Sequence, residues 1–447
     1  MDGLRRFQDD RVTDLSAALR ALPGDADRLI VGFSGGRDST ALLDVCCRLF
    51  DPARLMALHV CHGLDPNCDD WARFCADRAQ DHGVVFKRLD VSVDTTAGGL
   101  EAAARAARYG AIAAYIGPGD VFVSAHHADD QAQTVLIQAL RGAGMRGLAG
   151  MPVWRALGVG RHWRPWLSIA AAAIANHAET AGLDWVDDPS NADSARDRGY
   201  LDAEIWPALI SRWPAAVHTL SRVGERAAEA REALDRLATI DLETVRVAGA
   251  RLSLSQLAQL SSARRKEVFL AWCREQAIAR PDSRQLAEIE RLLAAREHNS
   301  PRVVIADYEI RRFDGQLFRL PALGKPPSPE TSLHWAVGGV LDLPHAAGRL
   351  VINADADTDA AMQALGPLTV VFRRGGERLQ KTNGQHMPLT DFLREQRIAP
   401  WVRARIPLIY RRGRLVAVAD RWRCPSLAHT LAHALGRIRW EHALTGD

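Results

Sequence analysis

The sequence predicts an α/β fold: a doubly wound parallel sheet at the N-terminus, followed by a helical domain and a small α+β domain at the C-terminus. Three observations carry this expectation. Short apolar runs alternate with helix-length segments to about residue 190. From about Ala208 to Arg296 the signals are almost all helical, with "AAEAREALDRLA" the clearest case. A Pro-rich stretch, "PALGKPPSPETS" (Pro321–Ser332), then separates these helices from short strand signals such as "LTVVFRR" and "RLVAVADRW". The expected domains are 1–213, 214–320 and 333–447, in keeping with a 447-residue chain too long for one ordinary core.

Taken in order, "LIVGF" (Leu29–Phe33) reads as a buried strand and Ser39–Phe50 as a helix. "LMALHV" (Leu55–Val60) is a second strand, followed by a helix near Asp69–His82. "VVFKRLDV" (Val84–Val91) alternates as a third strand. An Ala-rich helix spans Gly99–Ile116, then comes the strand "VFVSAH" (Val121–His126). The next helix, Asp129–Arg141, carries Ala132, Val135, Leu136, Ala139 and Leu140 on one apolar face. Strands separated by helices imply parallel pairing, and such sheets bind ligands beyond the carboxyl ends of their strands.

Composition narrows the class. At 47% hydrophobic and 25% charged residues the chain reads as soluble and globular. Its charged start lacks a secretory pattern, and its longest apolar run, "LSIAAAAIA" (Leu167–Ala175), is too short to cross a bilayer. The expectation is a cytoplasmic protein with no membrane partner. The cysteine count is odd, at seven, and no CxxC occurs, so neither a disulfide framework nor a Cys-rich zinc site is expected. Net charge is only +3, but Val371–Asp447 holds 15 Arg and Lys against 6 Asp and Glu. A basic tail on a near-neutral chain points to a polyanionic partner, or reflects an Arg-rich genome.

The chemistry begins at "SGGRDS" (Ser34–Ser39), between the first strand and its helix. Gly35 and Gly36 permit close backbone approach. Ser34 and Ser39 offer hydroxyl donors, and the helix N-terminus favours an anion. The Walker pattern GxxxxGK[ST] and the dinucleotide pattern GxGxxG are both absent. A bare Asp38 in a phosphate loop makes sense if it holds Mg²⁺ bridging the phosphates. The plainer alternative is an N-cap turn with Asp38 and Ser39 as caps. Arg37 either reaches a pyrophosphate or faces solvent.

Strand–SGGxDS–helix resembles the PP-loop of the ATP pyrophosphatases, which implies ATP cleaved between its α and β phosphates through an adenylated intermediate. "HVCHGLDPNCDDW" (His59–Trp71), "LEAAARAARY" (Leu100–Tyr109), "HADDQAQT" (His127–Thr134) and "DDPSN" (Asp187–Asn191) follow in order. Together with "VFRRGGERL" (Val371–Leu379) and "LREQRIAPWVRARIPLIY" (Leu393–Tyr410), they resemble the tRNA(Ile)-lysidine synthases over nearly the whole chain. The resemblance implies joining the ε-amino group of free lysine to C2 of the wobble cytidine in an isoleucine tRNA with a CAU anticodon. ATP and Mg²⁺ are the implied cofactors. The sequence leaves a homodimer open.

The resemblance assigns Ser34, Gly35, Gly36, Arg37, Asp38, Ser39, His59 and His127 to ATP, with Asp38 on the metal. It makes Asp38, Arg105, Arg108, Asp130 and Gln133 the catalytic set. Glu101, Arg105 and Arg108 share one helix face, which on spacing alone also suits a surface ion pair. Asp129 is either a helix cap or a site carboxylate; His127 is either a nucleotide contact or a structural histidine. Arg198, Arg373, Arg374, Arg378 and Lys381 are the expected tRNA contacts, the last four flanking Gly375-Gly376. Trp401 and Tyr410 read as core.

Three departures from the family pattern stand out. Gln133 replaces a usual Glu, Cys61 replaces the first His of HHG, and Gly199 and Asp202 replace Asn and Arg in "RDRGYLD". Two other readings compete. A PP-loop tRNA thiolase needs paired cysteines or an iron–sulfur cluster, against which the spread of Cys61, Cys68 and Cys75 argues. A non-catalytic tRNA-binding homologue would lack lysine-dependent AMP release.

Overall fold

The computed structural model describes residues 15–63, 67–93, 100–187, 197–295, 302–336, 339–352, 366–427, 429–442 and 444. These form two compact units, Met1–Ala233 and Leu234–Asp447.

The first unit opens with α1 (Leu15–Leu19), β1 (Arg28–Gly32), α2 (Arg37–Leu49), β2 (Leu55–Cys61), α3 (Cys68–Asp81) and β3 (Val85–Asp90). It continues with α4 (Leu100–Tyr115), β4 (Asp120–Val123), α5 (Ala128–Leu140), α6 (Met145–Leu148), β5 (Trp154–Leu157), β6 (Gly160–Trp163) and α7 (Ala171–Thr180). The sheet order is β3-β2-β1-β4-β6-β5. All pairs are parallel except the β5–β6 hairpin. Alternation along the strands divides the core between two faces. Leu29, Val31, Leu55, Ala57, Val121 and Val123 join Leu42 and Leu43 of α2 and Ile174 of α7 on one face. Ile30, Met56, Leu58 and Phe122 join Ile112 of α4 on the other.

Strand order reverses between β1 and β4, which pair through Leu29 and Val121. The loops leaving those two strands flank the crevice where open α/β sheets bind ligands. β4 stops at Val123 rather than His126, so Ser124–His127 belong to that crevice. The β5–β6 hairpin is an addition to the sequence expectation; Trp154 and Trp163 stack across it at 5.1 Å, with planes 8° apart. A second addition is a disulfide between Cys61, at the end of β2, and Cys68, at the start of α3, with Cα atoms 6.0 Å apart. An odd cysteine count without CxxC concealed it; the other five cysteines are free.

The unit continues through α8 (Asp197–Tyr200), a π-helical turn (Leu201–Ile205) and α9 (Trp206–Arg212). The long helix α10 (Ala216–Val245) runs across the boundary between the units.

In the second unit, helices Ser262–Glu275 and Ser283–Ala294 pack Trp272, Val268, Ile289 and Leu292 against Ile310 and Leu317. Those last two residues belong to an antiparallel sheet formed by Leu252–Ser253, Gln316–Pro321, Tyr308–Phe313 and Arg302–Ile305. The helical stretch expected to run to residue 320 therefore closes on strands. Antiparallel sheets also build the remainder: five strands led by Ser332–Trp335 and Leu368–Val371, and three including Arg349–Ile352 and Ile438–Glu441. Trp401 is 3% exposed in this core, and Tyr410 packs against it, as expected.

Candidate active site

The turn from β1 into α2 has no side-chain cap. Its N-cap is Gly36, and neither Asp38 nor Ser39 takes that role. Ser39 Oγ instead donates to the Gly36 carbonyl at 2.9 Å and accepts from Ser34 N–H at 3.2 Å. The leading N–H groups of α2 thus retain their capacity for an anion. Gly35 sits at φ +90°, and a Cβ there would lie 3.1 Å from Cys75 Sγ. Its carbonyl accepts from Val186 N–H at 2.9 Å, which fixes the loop in that conformation. His59 is 4% exposed, and its Nδ1 lies 3.0 Å from the Phe33 carbonyl. It supports the strand end from below, beside Cys75, because it shares with Leu55 and Ala57 the side of β2 that packs on α2.

His127 connects the two sides of the crevice. Its Nε2 lies 3.4 Å from Asp38 Oδ2 and 3.5 Å from Asp130 Oδ2. It also caps α5, in a reciprocal box with Asp130 whose carboxylate accepts His127 N–H at 3.0 Å. The nucleotide-contact and capping roles therefore coexist geometrically. Burial opposes charge on His127, yet the hydrogen bond to Asp38 and the fields of Asp130 and Asp129 outweigh it and raise its pKa. Burial likewise pushes the Asp38 carboxyl up, but His127 and Arg37 hold it below the usual range. Arg37 spends its Nε on Asp38 Oδ1 at 3.2 Å. Asp129 is a cap, though of another helix: it accepts Ala171 N–H at the start of α7, at 3.0 Å.

Asp130 Oδ1 is bonded by Arg198. One turn along α5, Gln133 Nε2 donates to Asp202 Oδ1 at 2.8 Å. Two of the departures in the family pattern thus meet each other. Asp202 was not foreseen as a site residue, since nothing local links positions 69 apart.

Arg105 lies over the Tyr109 ring at 5.1 Å, and Arg108 Nε donates to His62 Nε2 at 3.3 Å. The Glu101 side chain and Asp188–Asn191 of "DDPSN" lie outside the described residues. A polar chain missed by sequence reasoning runs behind the crevice. Arg164, which can only donate, lies 3.1 Å from His162 Nδ1. His162 Nε2–H must then donate to Ser124 Oγ at 2.8 Å, and Ser124 Oγ also lies 2.7 Å from His126 Nδ1. Burial and Arg164 press the His162 pKa down to about 2. Burial, followed by Arg164, Arg105 and Arg198, holds His126 well below its ordinary value. Both rings are therefore neutral. The adjacent His126-His127 pair was the only local signal; His162 and Arg164 come from and just follow the unforeseen hairpin.

In the second unit, Gly375 and Gly376 adopt φ +94° and +84°. Arg374, Arg378 and Lys381 are exposed around this turn and the adjoining hairpin, while Arg373 is half-buried with Nη2 3.2 Å from Thr390 Oγ1. Among the described residues no cluster of three or more His, Cys, Asp or Glu is arranged to hold a metal. Asp38 offers a single partly exposed carboxylate at the loop. That suits Mg²⁺, which commonly takes one or two carboxylates plus phosphate oxygens and water.

Comparison with known proteins gives three matched segments: a PP-loop domain over residues 10–209, a TilS substrate binding domain over 252–318 and a TilS substrate C-terminal domain over 368–440. The chain is 39% identical to the tRNA(Ile)-lysidine synthase of Alkalilimnicola ehrlichii, covering 90% of this chain and 91% of that protein. It is 37% identical to that of Pseudomonas syringae pv. tomato over 93% of each. It is 38% identical to that of Pseudomonas aeruginosa over 87% of this chain and 89% of the relative.

Proposed function

The chain belongs to the tRNA(Ile)-lysidine synthase family, and we propose that it forms lysidine in two steps at the crevice between β1 and β4. The PP-loop domain binds ATP. In the first step the C2 oxygen of the wobble cytidine, in the CAU anticodon, attacks the α-phosphorus and pyrophosphate leaves. In the second the lysine ammonium gives one proton to a carboxylate, the free amine attacks C2, the C2–O bond breaks with AMP as leaving group, and the nitrogen releases one further proton to solvent. The C2 oxygen is a poor leaving group until adenylated, which is why ATP is spent.

The chain's groups divide the work as follows. The Ser34–Ser39 loop holds the β and γ phosphates, with Gly35 shaping the backbone. Asp38 would hold Mg²⁺, which would supply neutralisation of phosphate charge. His127, whose Nε2 faces both Asp38 and Asp130, bridges the phosphate side to Asp130. Arg105 and Arg108 offset negative charge developing at the transferred phosphate. Asp130 and Gln133 form the face that meets lysine, and a carboxylate there takes a proton from the ammonium. Arg198, Arg373, Arg374, Arg378 and Lys381 contact tRNA phosphates. Residues 1–213 serve as catalytic domain, with 214–320 and 333–447 binding tRNA. No described helix is long and apolar enough to cross a membrane, and the three substrates occur together in the cytoplasm.

The observation that carries this reading is the match to lysidine synthases over most of the chain, with Asp38, His127 and Asp130 converging at the carboxyl ends of β1 and β4. Its test is AMP release from ATP with an isoleucine tRNA bearing CAU. The reading expects release that requires lysine; equal release with and without lysine overturns it.

A further inference from the structure

We propose that Asp202 supplies the carboxylate that receives an ammonium group of substrate lysine, with Gln133 orienting it. This rests on the reading that lysine meets the Asp130–Gln133 face. Asp38, Asp129 and Asp130, the carboxylates of the flanking motifs, already have roles or partners. Asp38 is the residue proposed for Mg²⁺, with Oδ1 accepting from Arg37 and Oδ2 facing His127. Asp129 Oδ2 accepts Ala171 N–H. Asp130 is engaged at both oxygens, by Arg198 on Oδ1 and by His127 N–H on Oδ2.

Asp202 differs. Its Oδ1 accepts from a neutral amide, Gln133 Nε2, at 2.8 Å. Gln133 is 5% exposed, so its amide is held in place, while Asp202 itself is exposed. A neutral donor orients a carboxylate without cancelling its charge. Asp130 and Gln133 are three residues apart on α5, and Arg198 and Asp202 are four apart on the opposing segment. The two pairs are parallel rungs between the same two elements. One rung is an ion pair; the other leaves a full negative charge open to an incoming cation. Asp202 sits in the π-helical turn Leu201–Ile205, a distortion often found at functional sites.

The rung also explains why Gln133 and Asp202 occur together. A Glu–Arg rung and a Gln–Asp rung each contain one donor and one acceptor. Exchanging the first for the second keeps the hydrogen bond but turns a neutral ion pair into a net negative charge.

The test is steady-state kinetics on the full chain with tRNA, ATP and varied lysine. Asp202→Asn keeps an acceptor for Gln133 but removes the charge. The expected result is a KM for lysine raised at least fivefold more than the KM for ATP; a smaller differential overturns the proposal. Gln133→Glu places two carboxylates face to face, and Asp202→Arg removes the anion, so each alone raises KM for lysine. The double variant Gln133→Glu/Asp202→Arg restores a hydrogen-bonded rung but makes it an ion pair like Arg198–Asp130, so its KM for lysine is expected to stay as high as that of Asp202→Arg. A double variant with the wild-type KM for lysine overturns the proposal. Failure of the lysidine reading itself is separate: wild-type protein would then show no lysine dependence at all.

Discussion

Gly35→Ala tests the loop most severely, because two independent costs meet at one atom. The residue holds φ +90°, a region where a side chain costs about 1–2 kcal/mol. The added Cβ would also lie 3.1 Å from Cys75 Sγ, tighter than ordinary contact, and Cys75 is fully buried. The backbone escapes neither cost by turning. Its carbonyl holds Val186 N–H at 2.9 Å, and losing that bond costs about 1 kcal/mol. Gly36 is the internal control: it sits at φ −71°, and a Cβ there meets Ser34 Oγ at 3.5 Å, an ordinary contact. If strain is relieved by leaving the phosphate-binding conformation, Gly35→Ala weakens ATP binding by about 5- to 30-fold, the equivalent of about 1–2 kcal/mol. Gly36→Ala stays within about twofold. Adding Cys75→Ala recovers the contact part and leaves the backbone part. Calorimetric titration with ATP measures all four proteins. Equal losses in Gly35→Ala and Gly36→Ala would refute the argument from backbone conformation.

Three further outcomes follow from the geometry. His127 is raised above 6.5 and Asp38 lowered below 3.8, so their pairing contributes fully between those values. It is lost as pH rises through the raised His127 value or falls through the lowered Asp38 value; KM for ATP should therefore climb on the alkaline side in wild type and not in His127→Gln, and superimposable profiles contradict this. Alkylation of unfolded, unreduced protein should label five cysteines and label all seven after reduction; seven labels without reduction contradict the Cys61–Cys68 bond. Replacing Arg374, Arg378 and Lys381 together by Ala should weaken tRNA binding and reduce the slope of log K against log salt by about 2–3; an unchanged slope removes them from the phosphate contacts.

The sequence made the sheet legible wherever an apolar run was bounded by glycine or a helix start. β1, β2 and the loop Ser34–Ser39 are of this kind, and the structure shifts their limits by only a residue or two. The hairpin β5–β6 was not legible: its "WRAL" and "GRHW" are four residues each, interrupted by Arg155, Arg161 and His162, and pairing of β6 with β4 together with the stacking of Trp154 on Trp163 makes them strands. The site divides similarly. Asp38, His127 and Asp130 were visible from local motifs. The Arg198–Asp130 and Gln133–Asp202 rungs were not, because each joins residues nearly seventy positions apart. The face of β2 that His59 occupies was equally hidden, since His59 lies within one strand whose two sides are both covered.

Mass spectrometry of the nucleoside at the wobble position tests the central claim most directly. Isoleucine tRNA with a CAU anticodon is incubated with the protein, ATP and isotopically labelled lysine, then digested. The account predicts a labelled lysyl adduct on cytidine that requires both ATP and lysine. An unmodified cytidine, or one that has gained sulfur instead, would contradict it.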